Sequence, residues 1–277
     1  MNVLVVGADR VDAGKTTFTV GLLARTGGVG YKPRAGNDFW FDHDDCRRAL
    51  AEGRLYGKDA ARIAAAERSD RPPERLNPVH RLWRPSPGGG NGLLGRSDRE
   101  FLIDRIGSGD PDSTTYVRNA TADLPESVAE ALPLEDAIPV ESVETLNDVA
   151  EREYVPAFER IADEIAAADV AVVESYGDIA IPIRSLEPTV VAAVEPRRVR
   201  IYPGDRYARA CDVASSSPMD GRLEKRTDDV LELLDPLERV ELPALPSEER
   251  SDPESVATAY EPAYDTVLAA ADRAADG

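Results

Sequence analysis

The sequence of 277 residues is poor in cysteine and in long apolar runs, and each scarcity excludes a class of protein. The two cysteines, Cys46 and Cys211, are too few for a disulfide framework and lack the spacing of a metal site. No apolar run approaches the roughly 18 residues of a membrane span. The apolar residues 3–6 lack the basic flank of a signal peptide and are too few for one. We therefore expect a cytoplasmic protein without a membrane partner.

Positive charge is also scarce. The 33 basic residues are outnumbered by 52 acidic ones, which gives a formal net charge of −19. Such a surface repels phosphate backbones, so we do not expect nucleic acid as the main partner. Only four basic residues are lysines, and this style resembles that of proteins from salt-in halophiles, where high salt screens self-repulsion. Acidic clusters therefore carry little functional information here.

What is present is enough apolar sequence for a core, since hydrophobic residues make up 42% of the chain. Strands are predicted at residues 2–7, 29–32, 169–174, 189–194, 198–202 and 240–243. Helices are predicted at residues 16–25, 57–68, 206–215 and 227–234. A long amphipathic helix is predicted from Ser142 to the strand at 169–174, with a kink near Pro156.

Strands that alternate with helices predict an α/β fold, a mostly parallel sheet with helices on both faces. We expect one such domain over residues 1–250. It carries a long irregular insertion around residues 70–140, because residues 70–98 are rich in proline and glycine. Residues 251–277 are predicted to form a C-terminal helix packed on the same domain.

The strongest motif is G-A-D-R-V-D-A-G-K-T-T, residues 7–17, between a predicted buried strand and a predicted helix. This order is the context of a phosphate-binding loop in a P-loop NTPase. The loop departs from the usual pattern, because Asp9 stands where a glycine is expected. Its chemistry is clear: Gly14 permits close backbone approach, Lys15 supplies charge for the β- and γ-phosphates, and the Thr16 hydroxyl is suited to ligate Mg²⁺. The predicted nucleotide-binding residues are Asp12, Ala13, Gly14, Lys15, Thr16 and Thr17.

A second piece is Glu174, which ends the predicted strand V-A-V-V-E. A carboxylate at the end of a strand beside the first strand can hold Mg²⁺ opposite Thr16, directly or through water. The alternative is an acidic residue that only terminates a strand.

Further segments follow in an order that resembles the dethiobiotin synthetase branch of P-loop proteins. The resemblance covers about residues 1–185. It rests on the phosphate loop and on four later segments. These are G-Y-K-P-R-A-G at 30–36, Lys58-Asp59-Ala60-Ala61, N-P-V-H-R-L-W-R-P-S-P at 77–87, and V-E-S-Y-G-D at 173–178.

The resemblance implies an ATP- and Mg²⁺-dependent reaction that activates a carboxylate or carbamate by phosphorylation. Carried over by position, Lys15 and Lys32 would stabilise the transferring phosphoryl group, and Thr16, Asp59 and Glu174 would hold magnesium. The glycine-rich turn of the family is replaced by residues 175–178 here. We therefore expect a substrate other than the biotin precursor.

Several alternatives stay open at the level of sequence. Asp38 or Asp45 could replace Asp59 as the magnesium ligand, and residues 42–45 are either a metal site or a solvated acidic stretch. Residues 39–41 (F-W-F) are either a buried plug or a substrate-facing loop. His80 is equally compatible with a structural and a catalytic role.

Two functions from different classes fit these residues. The first is a Mg-ATP-dependent ligase or kinase that acts on a small anionic metabolite. The second is a P-loop ATPase switch whose nucleotide state controls dimerisation or a protein partner. Arg10 either is a surface arginine or corresponds to the intersubunit lysine of a related group of dimeric ATPases. A homodimer is expected.

Overall fold

The computed structural model describes residues 1–7, 14–67, 69–86, 92–96, 98–108, 110, 113–214 and 225–275. Its strands are β1 Asn2–Gly7, β2 Val29–Tyr31, β3 Arg34–Asp38, β4 Val79–Pro85, β5 Arg99–Ile106, β6 Thr115–Asn119, β7 Ile138–Val140, β8 Ala171–Glu174, β9 Val190–Glu195, β10 Arg198–Pro203 and β11 Glu238–Glu241. Among the residues described, none of the helices combines the length and apolar composition needed to cross a membrane.

Twelve α-helices lie within the described residues. They are α1 Lys15–Thr26, α2 His43–Ala51, α3 Lys58–Ala66, α4 Pro73–Leu76, α5 Glu126–Ala131, α6 Val143–Val149, α7 Val155–Ala167, α8 Gly204–Val213, α9 Thr227–Leu231, α10 Ser247–Ser251, α11 Pro253–Ala259 and α12 Glu261–Ala275. A π-helical turn, Ala150–Tyr154, connects α6 to α7.

The chain divides into two compact units. The first unit comprises Met1–Pro33, Arg62–Asp70 and Ala162–Gly277, and the second comprises Arg34–Ala61 and Arg71–Ile161. Each unit has its own sheet, so the α/β class predicted from the sequence is confirmed.

The sheet of the first unit has six strands in the order β11-β10-β9-β1-β8-β2. The four strands β9, β1, β8 and β2 are parallel, whereas β10 and β11 add in antiparallel fashion. β1 and β8 are almost entirely buried, as continuous runs of valine and leucine require in the centre of a parallel sheet. The central position of β1 places the end of that strand, and the start of α1, in the middle of one sheet edge.

Helix α1 is held in the first unit by aromatic packing. Its Phe18 ring packs edge-on against Tyr264 of α12, with ring centroids 4.9 Å apart. The Tyr264 hydroxyl donates a buried hydrogen bond of 3.0 Å to the carbonyl of Phe18. The C-terminal residues thus fix helix α1, although they form two helices rather than the single helix expected. α11 ends before Tyr260, and Pro262 lies in the first turn of α12, where its missing N–H is tolerated.

The sheet of the second unit has the order β3-β4-β5-β6-β7 and is mixed. β4-β5 and β5-β6 are antiparallel, while β3-β4 and β6-β7 are parallel. The prediction that residues 70–140 are irregular is therefore wrong for four strands. Val79 and Leu82 of β4 are both buried but lie three residues apart and face two different apolar clusters, so this segment lacks the simple alternation from which a strand is predicted.

The helix predicted from Ser142 changes at Ala150–Tyr154 into a π-helical turn, which ends two residues before Pro156, where the kink is predicted. Proline has no N–H to donate to the carbonyl four residues earlier, so the preceding turn widens rather than breaking the helix.

Candidate functional site

The start of α1 has the features of an anion-binding helix terminus. Gly14 precedes the helix in the left-handed conformation, with φ of 85°, which an L-residue rarely adopts. The first turn contains no acidic side chain. The N–H groups of a first helical turn have no helical carbonyl to bond, and they carry the positive end of the helix dipole. Two of the predicted nucleotide-binding residues, Asp12 and Ala13, lie outside the described residues.

Glu174 lies beside this terminus because of strand register. β8 runs parallel to β1 with Glu174 opposite Val5, and the N–H of Ser175 continues the ladder to the carbonyl of Val5. The glutamate side chain is completely buried. A buried carboxylate requires a compensating partner, since an unpaired buried charge is very costly.

Two partners meet on one oxygen of Glu174. The Thr16 hydroxyl, in the first turn of α1, donates a hydrogen bond of 2.9 Å to Oε1. The Lys32 ammonium, which directly follows β2, forms a buried ion pair with the same oxygen. Strand β2 is the neighbour of β8, so the sheet order brings Lys32 to Glu174. The proximity of Thr16 to Glu174 that the sequence predicted is thus present, and the structure adds Lys32 to the same oxygen.

The second oxygen of this carboxylate is different. Among the described residues, Glu174 Oε2 has no hydrogen-bond partner, although it is buried. An orphaned carboxylate oxygen close to a threonine hydroxyl is a donor set that suits a hard cation such as Mg²⁺. No group of three or more acidic, histidine or cysteine side chains within the described ranges could hold a metal alone. Mg²⁺ commonly binds through one or two protein ligands plus phosphates and water, which is compatible with this set.

Lys15 and Thr17 point to other partners. The Lys15 ammonium donates to the carbonyl of Gly177, at 2.8 Å, in the segment that follows β8. Thr17 Oγ1 accepts from Arg62 of α3 at 3.5 Å, and Arg62 also donates to the carbonyl of Arg250 at 2.8 Å. Sequence reasoning missed Arg62, because only the fold brings residue 62 to the first turn of α1.

The segment after β8 is tied down at several points. The Ser175 hydroxyl donates to the carbonyl of Ile179 at 2.6 Å, and Asp178 forms a 3.0 Å ion pair with Arg226. The N–H of Thr227 also donates to the carbonyl of Asp178 at 2.7 Å. The Asp178 charge is thus already neutralised by a neighbouring arginine.

The predicted magnesium ligand Asp59 lies in the first turn of helix α3, within the second unit. Its carboxylate and those of Asp38 and Asp45 all act on Asp42. The pKa of Asp42 is raised first by burial and then by the negative charges of these three residues, while a backbone hydrogen bond opposes the rise. The three alternative ligands therefore lie near one another. The choice of Asp59 stays a prediction.

The remaining sequence candidates are resolved by their contacts. The buried-plug interpretation of residues 39–41 is wrong for Trp40 and Phe41, which are 74% and 80% exposed. His43 contacts the Phe39 carbonyl at 3.0 Å through Nδ1, and residues 42–45 form no metal cluster in this described stretch. His80 is fully buried, with Nδ1 3.3 Å from Asn77 Oδ1, which is a structural setting.

Comparison with protein-family models, with curated proteins and with solved structures finds no match to this chain.

Proposed function

We propose that this chain is a P-loop protein that binds Mg-ATP at the start of α1 and acts on a small anionic metabolite as an ATP-dependent ligase or kinase. The proposal rests on one observation above all. Thr16 and Lys32 converge on one oxygen of the buried Glu174 carboxylate, and the other oxygen has no partner among the described residues.

Binding of the triphosphate is supported by the backbone and by Lys15. Gly14 leaves room for phosphate oxygens at the N–H groups of the first turn of α1. Lys15 also lies at this terminus. In its contact with Gly177, the ammonium of Lys15 donates to a neutral carbonyl and not to a carboxylate. A phosphate oxygen is a stronger partner for an ammonium than a carbonyl, so nucleotide binding would draw Lys15 away from Gly177.

The cluster of Thr16, Lys32 and Glu174 supports the transfer of a phosphoryl group. The buried carboxylate of Glu174 holds the side chains of Thr16 and Lys32 in fixed orientations. Groups that are already oriented need little rearrangement when negative charge develops in the transition state. Lys32 would stabilise the negative charge of the transferring phosphoryl group. Glu174 and Thr16 would hold Mg²⁺, which supplies neutralisation of the phosphates when bound.

The test compares Thr16→Val with Thr16→Ser. Valine keeps the shape of threonine but removes the hydroxyl, whereas serine keeps the hydroxyl. We expect Thr16→Val to lower Mg²⁺-dependent ATP turnover by about a hundredfold, the scale of one lost charge-stabilising group. Thr16→Ser should retain most of the activity, as should Arg206→Gln, which removes an exposed charge on α8. Assays belong in molar salt because of the acidic composition.

Two results would overturn this proposal. One is a parent protein that fails to bind ATP under any tested salt and magnesium concentration. The other is a Thr16→Val variant whose turnover and magnesium dependence equal those of the parent.

A second candidate function, an ATPase switch, is favoured by the contacts of the segment after β8. Lys15 bonds the carbonyl of Gly177, and the adjacent Asp178 is tied to Arg226 and Thr227. A nucleotide that displaced Lys15 would therefore act on a segment linked to residues 225–227. Stimulation of ATP turnover by small carboxylates or amino acids with bicarbonate supports the enzyme. Turnover that responds only to a protein partner, with ATP-dependent dimerisation, supports the switch.

A further inference from the structure

A cluster of arginines surrounds Trp83 in the second unit. The guanidinium carbons of Arg81, Arg96 and Arg99 lie 5.2, 5.8 and 4.5 Å from the centre of the indole ring. Trp83 is half-buried on β4, and Arg99 begins the neighbouring strand β5. In a chain with a net charge of −19, three guanidinium groups on one ring form an unusual concentration of positive charge.

These arginines differ in how they are neutralised. Arg81 forms two hydrogen bonds with the fully buried Asp104, at 2.7 and 2.5 Å. Its neighbour on β4, Arg84, forms a 2.6 Å ion pair with Glu100. No carboxylate in the described part of the chain forms a salt bridge with Arg96 or Arg99. Of the three arginines on Trp83, Arg81 is therefore paired with a buried carboxylate, whereas Arg96 and Arg99 have no carboxylate partner among the described residues.

Arg99 is the more constrained of the second pair. Its Nε is buried and has no hydrogen-bond partner among the residues described. Burial lowers the pKa of Arg99, and the charge of Arg96 lowers it further, while Asp98 and Asp38 act in the opposite direction from beyond salt-bridge range. The contact with Trp83 holds the guanidinium in place, but its charge has no carboxylate partner and its Nε–H no hydrogen-bond acceptor among the described residues.

We propose that Arg96 and Arg99, held on the face of Trp83, form a binding site for the oxyanion group of a small molecule, a carboxylate or a phosphate. Guanidinium groups present forked N–H donors that match the paired oxygens of these groups. An anion there would satisfy the buried Nε and relieve the repulsion between the two arginines. A small ligand is favoured over a polyanion, because the net negative charge of the chain repels nucleic acid and acidic proteins at long range.

The sequence provides a direct reporter for this site. Trp40 and Trp83 are the only tryptophans, and Trp40 is 74% exposed, so Trp40→Phe leaves Trp83 as the single fluorophore. In this background, phosphate and succinate are titrated separately at constant ionic strength, with chloride as the replacement salt. We expect a saturable change in Trp83 emission with at least one of them. The better ligand identifies whether a phosphate or a carboxylate is preferred.

Variants assign the signal to the two arginines. Arg99→Gln should weaken binding by about tenfold or more, the loss expected for one charged hydrogen-bonding partner. Arg96→Gln, at an exposed position, should weaken it similarly and is available if Arg99→Gln folds poorly. The matched control is Arg118→Gln, which removes an exposed arginine from β6 of the same sheet and should bind like the parent.

Thermal unfolding separates binding from a packing role. The preferred anion should raise the Tm of the parent and of Arg118→Gln, but not that of Arg99→Gln. Lys15→Ala should respond like the parent, so failure of the nucleotide proposal leaves this test intact. The proposal is overturned if neither anion gives a saturable response, if Arg99→Gln and Arg96→Gln bind as the parent does, or if only a polyanion such as heparin binds.

Discussion

Lys32 and Glu174 form an ion pair that is almost completely shielded from solvent, with side-chain exposures of 6% and 0%. The pair exists because β2 and β8 are adjacent and parallel, with Tyr31 opposite Val173. Both charged residues therefore emerge at the same end of the sheet. Desolvation of two charges is costly, so such a pair is stable only while both partners are present.

The first prediction concerns the energetics of this pair. Glu174→Gln leaves the buried Lys32 ammonium without its carboxylate and should lower the free energy of unfolding by about 3–5 kcal/mol. The double variant Glu174→Gln/Lys32→Met buries no charge at the site and should recover most of that loss. Denaturant unfolding of the four proteins in the cycle measures the coupling. If the loss of unfolding free energy in the double variant equals the sum of the losses in the two single variants, the two residues do not depend on each other.

The second prediction separates function from stability at Lys15. Lys15→Ala should abolish nucleotide turnover, since it removes the charge nearest the start of α1. Its contact with the Gly177 carbonyl is solvent-exposed, so stability should change by less than about 1 kcal/mol. ATP hydrolysis and thermal unfolding are measured on the same preparation. Unchanged ATP binding and hydrolysis would refute the phosphate-loop interpretation.

The third prediction concerns the packing of α1 against α11. A methyl group on Gly21 would lie 2.6 Å from Val256 Cγ1 and would also meet the hydroxyl of Tyr264. Gly21→Ala should therefore destabilise the protein by about 1–3 kcal/mol, even though alanine is the better helix former by about 1 kcal/mol. In a Val256→Ala background, Gly21→Ala should lower the free energy of unfolding by less, because the added methyl group occupies the space that the valine side chain leaves. A stabilising effect of Gly21→Ala in the parent would contradict this packing.

The fourth prediction concerns the two thiols. Burial raises the pKa of Cys46 to about 12, with help from neighbouring aspartates, and burial raises the pKa of Cys211 to about 11. Both should react slowly with alkylating reagents at pH 8 in the folded protein and rapidly in denaturant. The single variants Cys46→Ser and Cys211→Ser show which thiol gives each alkylation rate. Fast alkylation of the folded parent would show that these thiols are accessible.

The same shifts predict a pH dependence of stability with a definite sign. The folded chain keeps both thiol protons to a higher pH than the unfolded chain, whose thiols have pKa values of about 8.5. The stability that depends on the protonated thiols is therefore complete below about pH 8.5 and falls as the pH rises toward 11–12. The double Cys→Ser variant should show a smaller decline over this range.

Local signals were sufficient for the central part of the first unit. The apolar run that became β1, the glycine before Lys15 and the carboxylate that ends β8 are all visible within a few residues of sequence. Their periodicity and terminal residues depend on backbone sterics and burial, which act locally. The α/β class and the proximity of Thr16 to Glu174 followed from these signals.

The second unit could not be predicted in the same way. Its strands β4–β7 pair between segments separated by prolines and glycines. The exposure of Trp40 and Phe41 could not be decided from the sequence either, because an aromatic run alone does not tell a core from a surface. A hydrogen-bond ladder between distant segments leaves little trace in either segment alone.

The sequence by itself determined which groups are present: a glycine–lysine–threonine turn after an apolar strand, a glutamate that ends another strand, four lysines, and an acidic surface. Only the tertiary structure decided which of them meet. Lys32 and Thr16 share one oxygen of Glu174 because the order of the strands brought together residues far apart in the chain. Arg96 and Arg99 share the indole ring of Trp83 because β4 pairs with β5. The reason is physical: composition and local pattern set what each segment can bury, whereas the pairing of segments depends on long-range packing.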